Sequence, residues 1–429
     1  MPNDCTVMKI EVNKRRLFNA CSLALVVTAM TFSLRAALLG TLGDYFSLTP
    51  QEIGEIASAA FWGFTIAMFV GGPLCDFMGL RRMYLFAFIA HLSGIILTIF
   101  SAGYWPLFLS TLLVGIGNGL IESASYTMVS SMYADDKAKK INQWHIWFPG
   151  GIVIGGIVAW FFSLAQVDWK IQMAVMIVPT LIYGLLFFRQ VFPQSERVML
   201  GVSNREMIKA CFHPLFIFML ICMLLTSATE LGTNQWIAEL LSHVGIPSIL
   251  LLVFINGIMA IGRANAGFVL KRVSSSGLLV ISAVLSFAGL LWLGTAQGYA
   301  AFAAAGVFAA GICFFWPTMI GFVSEHLYKT GPLGLSLMGG VGLLSTALVL
   351  PYMGKVYSGQ LDKVSQQLIN AGAAIEPAAA EAQILAGAAT LRLMSVLPAI
   401  LIVAFVILYL YMKRKNATWL NHSLKMKAT

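Results

Sequence analysis

Four charged side chains stand inside long apolar runs of this sequence: Arg35, Glu122, Glu230 and Arg263. An ionisable group in such surroundings costs free energy unless it is paired or faces water, so each marks a place where the chain uses charge. Two acids and two bases cancel, which points to pairing inside the molecule. The stretch Gly115-Ile116-Gly117-Asn118-Gly119-Leu120-Ile121-Glu122-Ser123-Ala124-Ser125-Tyr126 holds the sharpest case. At helical spacing Asn118, Glu122 and Tyr126 share one face, as do Thr28, Thr31 and Arg35, and Thr226, Glu230, Thr233 and Asn234.

An acid that alternates between a cationic partner and a proton can couple charge to a change of state. Glu122, Glu230 and Arg35 are the expected proton-coupling residues. Arg35 is also a candidate to hold an anionic group directly, as a bidentate donor. Around them Asn118, Tyr126, Asn142, Asn234, Gln235 and Asn256 offer hydroxyl and amide partners, and Trp236 and Trp316 offer flat apolar rings. With Arg35 these make the expected substrate-binding set. Trp62, Trp144 and Trp147 are read first as packing or interface residues. His145 is read as a satisfied structural group beside two tryptophans.

The elements that must position these groups follow from composition. The 429-residue chain is 59% hydrophobic and 10% charged, where soluble domains carry about 25% charge. Its apolar runs are mostly about 20 residues long, the length a helix needs to cross roughly 30 Å of hydrocarbon. They lack the short alternation of a membrane barrel, so the expected class is an all-α membrane protein. Twelve such runs fit between residues 17 and 412. The first is too long, and lacks a small-residue cleavage site, for a removable signal peptide.

The net charge of +9 is topological. Lys14, Arg15 and Arg16, Arg81 and Arg82, Lys137 to Lys140, Lys271 and Arg272, and the tail from Lys413 fall in alternate loops on one side, whereas the other side carries Lys170, Lys363 and Arg392. By the positive-inside rule both termini are cytoplasmic. No nucleic-acid partner is implied. The six cysteines are scattered without a CxxC pair and read as small core residues, with no disulfide framework, metal or cofactor expected. The chain offers no nucleophile-base-orienter set and no nucleotide loop, so it is not expected to be an enzyme.

The most polar inner segment divides the chain: residues 1–191 form one six-helix half, 192–212 a linker, 213–412 the second half and 413–429 a basic tail. Within the linker, Asn204 to Lys209 is expected as a short interfacial helix. The outer loop at 358–389 is Ala-rich and expected to form one or two short helices. Glycine clusters at Gly150, Gly151, Gly155 and Gly156, and at Gly334, Gly339, Gly340 and Gly342, mark helix contacts. At 1.5 Å per residue, Arg35 lies roughly 27 Å and Glu230 roughly 25 Å from the inner ends of their spans, with Glu122 just inside the midplane.

Between the second and third runs sits Gly72-Pro73-Leu74-Cys75-Asp76-Phe77-Met78-Gly79-Leu80-Arg81-Arg82. This resembles the signature loop of the major facilitator superfamily, G-x-L-x-D-x-x-G followed by basic residues, at its expected place. The resemblance implies two pseudo-symmetric six-helix halves that work by alternating access. Gly72, Asp76, Gly79, Arg81 and Arg82 would form the latch that clamps the halves on the cytoplasmic side. The corresponding stretch Gly262 to Arg272 keeps glycines and bases but no acid, so Arg263 is read as structural within an eroded copy.

Three shorter stretches are similar to the fucose:proton symporter branch: the run around Glu122, Asn142 to Gly151, and Thr229 to Trp236. Where that branch carries an acid in its first span, this chain has Arg35, with Asp44 only near the outer end. The resemblance implies a proton-coupled symporter of a small polar solute, a sugar or sugar derivative, monomeric in a bacterial inner membrane. Two alternatives stand beside it. One is an Arg35-dependent carrier of organic anions or lysophospholipids, since Spinster-like transporters also combine a first-span Arg with a fourth-span Glu; the other is a non-transporting sensor.

Overall fold

Backbone N–H and C=O groups in hydrocarbon need partners within the protein, so apolar runs of this length close their hydrogen bonds along helices. A computed structural model of the chain describes residues 12–48, 50–195, 201, 203–234, 248–296, 298–370 and 375–427, and among them there is no strand. Among the described residues eleven helical segments are long and apolar enough to cross a membrane, and Leu251–Ala264 is a shorter apolar helix. Together they match the twelve runs of the sequence.

The first set of helices is α1 (Lys14–Phe46), α2 (Pro50–Met78), α3 (Leu80–Ile99), α4 (Tyr104–Met132), α5 (Lys137–Trp144), α6 (Trp147–Leu164), α7 (Trp169–Ala174) and α8 (Ile177–Phe187). A short helix α9 (Asn204–Cys211) precedes the second set. That set comprises α10 (Pro214–Ser227) with a π turn at Ala228–Gly232, α11 (Ser248–Ala264), α12 (Ala266–Leu270), α13 (Ser275–Leu293), α14 (Ala300–Ile312), α15 (Phe315–His326), α16 (Gly331–Asn370), α17 (Ile375–Met394) and α18 (Val396–Lys427). The expected interfacial helix is α9, started by a capping box between Ser203 and Glu206.

The outer loop differs from expectation. Instead of separate short helices over the face, α16 runs on to Asn370 and α17 begins at Ile375. The physical reason is composition: Gln, Leu and Lys favour helix, and no proline interrupts the chain between Pro351 and Asn370, so the span helix propagates outward.

Small residues set the packing inside each set. A Cβ on Gly63 would fall 2.2 Å from Leu112 O and one on Gly115 2.2 Å from Ala60 O, so α2 and α4 touch backbone to backbone. Gly151 and Gly155 meet Ala29 and Ser33 of α1 in the same way. Contacts also join the two sets. The side chains of Ser123 and Ser336 lie 2.6 Å apart, Ser324 Oγ donates to Ser130 Oγ at 3.2 Å, and the Ala138 N–H donates to Glu325 Oε1 at 3.1 Å. All lie between the level of Glu122 and the end expected to face the cytoplasm, so the sets are clasped at that end.

Of the expected latch residues, Gly72 sits within this clasp. A Cβ on Gly72 would lie 2.5 Å from Pro332 O and 2.9 Å from Leu333 Cα, so only glycine lets α2 and α16 approach this closely. Asp76 accepts from Ser195 Oγ at 2.7 Å. Gly79 adopts φ +80° in the turn into α3, a conformation that disfavours side chains. Arg81 and Arg82 are exposed.

Candidate functional site

The helices that reach the middle of the bundle are broken there. The fifth span is interrupted at His145 and Ile146, between α5 and α6; the tenth at Cys313 and Phe314, between α14 and α15. The seventh widens into the π turn that holds Glu230. Proline explains two of these breaks. In a continuous helix the carbonyl of His145 would accept from residue 149 and that of Cys313 from residue 317, but Pro149 and Pro317 have no N–H to give. Freed carbonyls inside a membrane need other donors.

Arg263 supplies them. Its guanidinium is 0% exposed and donates from Nε to Cys313 O at 2.7 Å and from Nη1 to His145 O at 3.2 Å. Nη1 also lies 3.1 Å from His145 Nδ1, and Nη2 is 2.9 Å from Glu230 Oε1. One side chain of α11 thereby ties the π turn and the tenth span to the fifth span of the other set. A close approach makes this possible, for a Cβ on Gly262 would fall 2.5 Å from Cys313 Sγ.

On the far side of His145 the network reaches Glu122. Tyr126 donates its hydroxyl proton to Glu122 Oε1 in a short hydrogen bond. His145 Nε2 lies 2.8 Å from the Tyr126 oxygen and 3.2 Å from Glu122 Oε1, and Trp316 Nε1–H donates to the Tyr126 oxygen. A guanidinium only donates, so His145 Nδ1 accepts and the ring proton of the neutral imidazole sits on Nε2, facing Tyr126 and Glu122. The Tyr126 hydroxyl and His145 Nε2–H then both point toward the Glu122 carboxylate. Two links cross between the sets here, Arg263 to His145 and Trp316 to Tyr126.

Several buried oxygens around this cluster find no partner among the described residues: Glu230 Oε2, Asn142 Oδ1, Thr233 Oγ1, Asn234 Oδ1, Thr28 Oγ1 and Thr318 Oγ1. Buried polar atoms are ordinarily satisfied, so a site left rich in free acceptors suits something that brings donors with it.

The structure thus brings Glu122, Tyr126, Glu230 and Trp316 to one place and adds Arg263 and His145, which the sequence had assigned to structure. Arg263 is no part of an eroded latch; it lies at the core of the network. Glu230 joins the network of Glu122 through Arg263 and His145 rather than standing beside Arg35, a link that counting residues along straight helices does not foresee. Asn142 stands one turn from His145, with Nδ2 donating to Ala138 O at 2.9 Å. Asn256 donates to Leu252 O at 2.8 Å. Asn234 is buried, while Gln235 and Trp236 lie outside the described residues.

Two expected site residues stand apart. Asn118 is consumed within the first set: Nδ2 donates to Thr31 Oγ1 at 3.0 Å, and Oδ1 accepts from His91 Nε2 at 2.8 Å. His91 Nδ1 in turn meets Tyr183 OH at 3.0 Å. Arg35 is 6% exposed and pairs with neither acid; it makes no hydrogen bond or ion pair with any described residue. Thr31 marks the level of Asn118, so Arg35 sits about two helical turns, roughly 11 Å, outward of Glu122.

Trp144 donates to Cys21 O at 3.1 Å and is fully buried, the packing role expected of it. The missed residues carried a sequence signal. Prolines stand four residues after His145 and Cys313, and that spacing announces two freed carbonyls for a buried donor.

Comparison with known proteins agrees with this architecture. Residues 21–350 match the family model of the Major Facilitator Superfamily. Among curated proteins, the chain is 25% identical over 160 residues to Myo-inositol transporter 1 of Candida albicans, a match covering 37% of this chain and 28% of that relative's length. Among solved structures, FucP in the outward conformation superposes with a TM-score of 0.68 at 16% identity, covering 91% of this chain and 99% of that one. The proton:xylose symporter XylE bound to 6-bromo-6-deoxy-D-glucose gives 0.67 at 15%, covering 91% and 95%. Twelve apolar helices, a signature loop packed across the two helix sets and a family match over most of its length place the chain in the Major Facilitator Superfamily, as a membrane transporter with that superfamily's all-α fold.

Proposed function

We propose that the chain is a secondary active transporter of a small polyhydroxy solute, a sugar or sugar derivative, working by alternating access with proton coupling through Glu122. The observation that carries the proposal is the placement of Glu122: a buried acid held by Tyr126 and His145 at the seam where three hydrogen bonds join the sets. The free acceptors Glu230 Oε2, Asn142 Oδ1 and Asn234 Oδ1 support a solute rich in hydroxyl donors. Relatives named for inositol and xylose support the sugar class. The halves are 1–191 and 213–412, joined by the linker 192–212, with both termini in the cytoplasm of a bacterial cell and the protein acting as a monomer. Closure at the end assigned to the cytoplasm supports reading the described state as outward-facing or occluded.

The test is uptake into proteoliposomes of labelled fucose, xylose and myo-inositol under an imposed inward proton gradient. Gradient-driven accumulation is expected in the wild type and lost in Glu122→Gln, with counterflow exchange retained. Accumulation unchanged by that substitution overturns the coupling role.

A second reading rests on Arg35, a buried cation bonded to no described residue. It supports an organic-anion substrate held by the guanidinium. Anion uptake abolished by Arg35→Lys, with no competition from sugars, would establish this reading instead.

A further inference from the structure

His145 Nδ1 has one lone pair, and Arg263 occupies it from 3.1 Å. A proton added to that nitrogen turns it into a donor facing a donor. Protonation at Nδ1 and the Arg263 contact therefore exclude each other. We infer that His145 is a proton-operated clasp between the two helix sets, closed by Arg263 when the ring is neutral and released when Nδ1 takes a proton. The inference rests on the proton-coupled reading above and adds to it the residue that converts the proton into movement.

The balance of the step is simple. A proton from bulk water forms one N–H bond at Nδ1, and the hydrogen bond from Arg263 Nη1 is lost. The imidazolium keeps Nε2–H on Tyr126 and Glu122, whose carboxylate at 3.2 Å neutralises the new charge. Arg263 is not stranded, because Glu230 Oε1 and Cys313 O lie in its own set and stay bonded. Across the sets Nη1 loses its bond to the ring, and its remaining bond to His145 O, at 3.2 Å, is opposed by the repulsion between guanidinium and imidazolium. On the opposite side of the cycle the proton leaves Nδ1 for water, and Arg263 can return.

The charged and titratable groups around the ring are few. Glu122 and Tyr126 face it from α4, Arg263 from α11, with Glu230 of the π turn and Cys313 of the tenth-span break behind Arg263. Trp144, Phe148 and Trp316 complete the walls and carry no charge. Because the proton binds only the released arrangement, linkage requires that lowering the pH favour release, and reciprocally that closure oppose protonation.

The experiment uses full-length protein in lipid nanodiscs. Spin labels replace Asp135 and Lys271, exposed residues of opposite sets at the cytoplasmic end, in a background lacking Cys5 and Cys211, the other four cysteines being buried. In the wild type a longer-distance population is expected to grow as pH falls from 8 to 5. His145→Asn keeps an acceptor near the Nδ1 position that cannot take a proton, and is expected to hold the short distance throughout. A wild type without pH response, or His145→Asn with an unchanged response, overturns the clasp. Should that variant fail to fold, 15N spectra of histidine-labelled wild type decide: Nδ1 of His145 must convert from unprotonated to protonated with the same midpoint as the distance change, and a ring that stays neutral through it overturns the inference. Glu122→Gln separates the two readings. Loss of response there with retention in His145→Asn leaves the Glu122 reading standing and ends the clasp; the reverse pattern upholds the clasp and ends the role of Glu122.

Discussion

Arg263 donates to the carbonyl of Cys313 at 2.7 Å, and that carbonyl is available only because Pro317, four residues on, has no N–H. The same arrangement recurs in the other set, where Pro149 leaves His145 O with a long 3.4 Å bond from the Phe148 N–H and the guanidinium takes up the slack. Two prolines and one arginine thus form a single device. It follows that Pro317→Ala, by returning an amide to Cys313 O, competes with Arg263. The cost of Arg263→Gln should be smaller in that background, with a coupling of about 0.5–3 kcal/mol in a double-mutant cycle read from thermal or chemical unfolding. Additive costs would show that the carbonyl does not depend on Arg263.

Removing Arg263 by itself strands Glu230. The carboxylate is 2% exposed and already has one oxygen without a partner among the described residues. Breaking a buried pair from one side typically costs about 3–5 kcal/mol. Arg263→Gln is expected to lower the melting temperature of the purified protein markedly, and adding Glu230→Gln to recover most of the loss, since the uncompensated charge is then gone. A double variant as unstable as the single one would point to the carbonyl contacts as the main contribution.

Asn118 separates helix-face reasoning from geometry. Four-residue spacing placed it with Glu122 and Tyr126, yet both its amide atoms are bound to His91 and Thr31 inside the first set. Asn118→Leu leaves His91 Nε2 unmet, at about 1–3 kcal/mol, while Thr31 keeps its bond to Thr28 O. Stability should fall while the apparent affinity for the transported solute stays unchanged. The opposite outcome would restore Asn118 to the binding set.

How much was legible beforehand follows from these residues. The spans, the signature loop and the interfacial helix each rest on local signals: run length, the Gly72 to Arg82 spacing, and Ser203 with Glu206. The central acids were visible because charge in an apolar run stands out. Their partners were not, since pairing depends on tilt, on the π turn at Glu230 and on the reach of Arg263 from near the end of its helix. Arg263 sat in a stretch resembling a latch, and that sequence context outweighed the proline spacing that would have located it.

Outside the membrane-spanning segments, Glu206 offers a pH test. The Ser203 backbone N–H and hydroxyl bonding its carboxylate, helped by Lys329, hold it below the usual carboxylate range. A group with a lowered folded pKa contributes stability present above its unfolded value, about 4.3, and lost as pH falls through the folded one. Amide exchange in α9, corrected for intrinsic rate, should therefore accelerate in acid. Glu206→Gln should abolish that pH dependence, and an unchanged profile in the variant would assign it to another group.

Gly72 gives the sharpest mechanical prediction. Its missing side chain lets α16 come so near that a Cβ would sit 2.5 Å from Pro332 O and 2.9 Å from Leu333 Cα. Both obstacles are backbone atoms, so neither can rotate away, and Gly72→Ala must push α2 and α16 apart where the sets are clasped. The substitution is expected to leave the fold intact, because Gly72 faces the other set and the strain ends once the sets separate. The closed cytoplasmic end should be disfavoured, and the distance between labels at Asp135 and Lys271 should stay long even at alkaline pH. If Gly72→Ala instead lowers stability with the short distance preserved, the contact is ordinary packing and the loop is no latch.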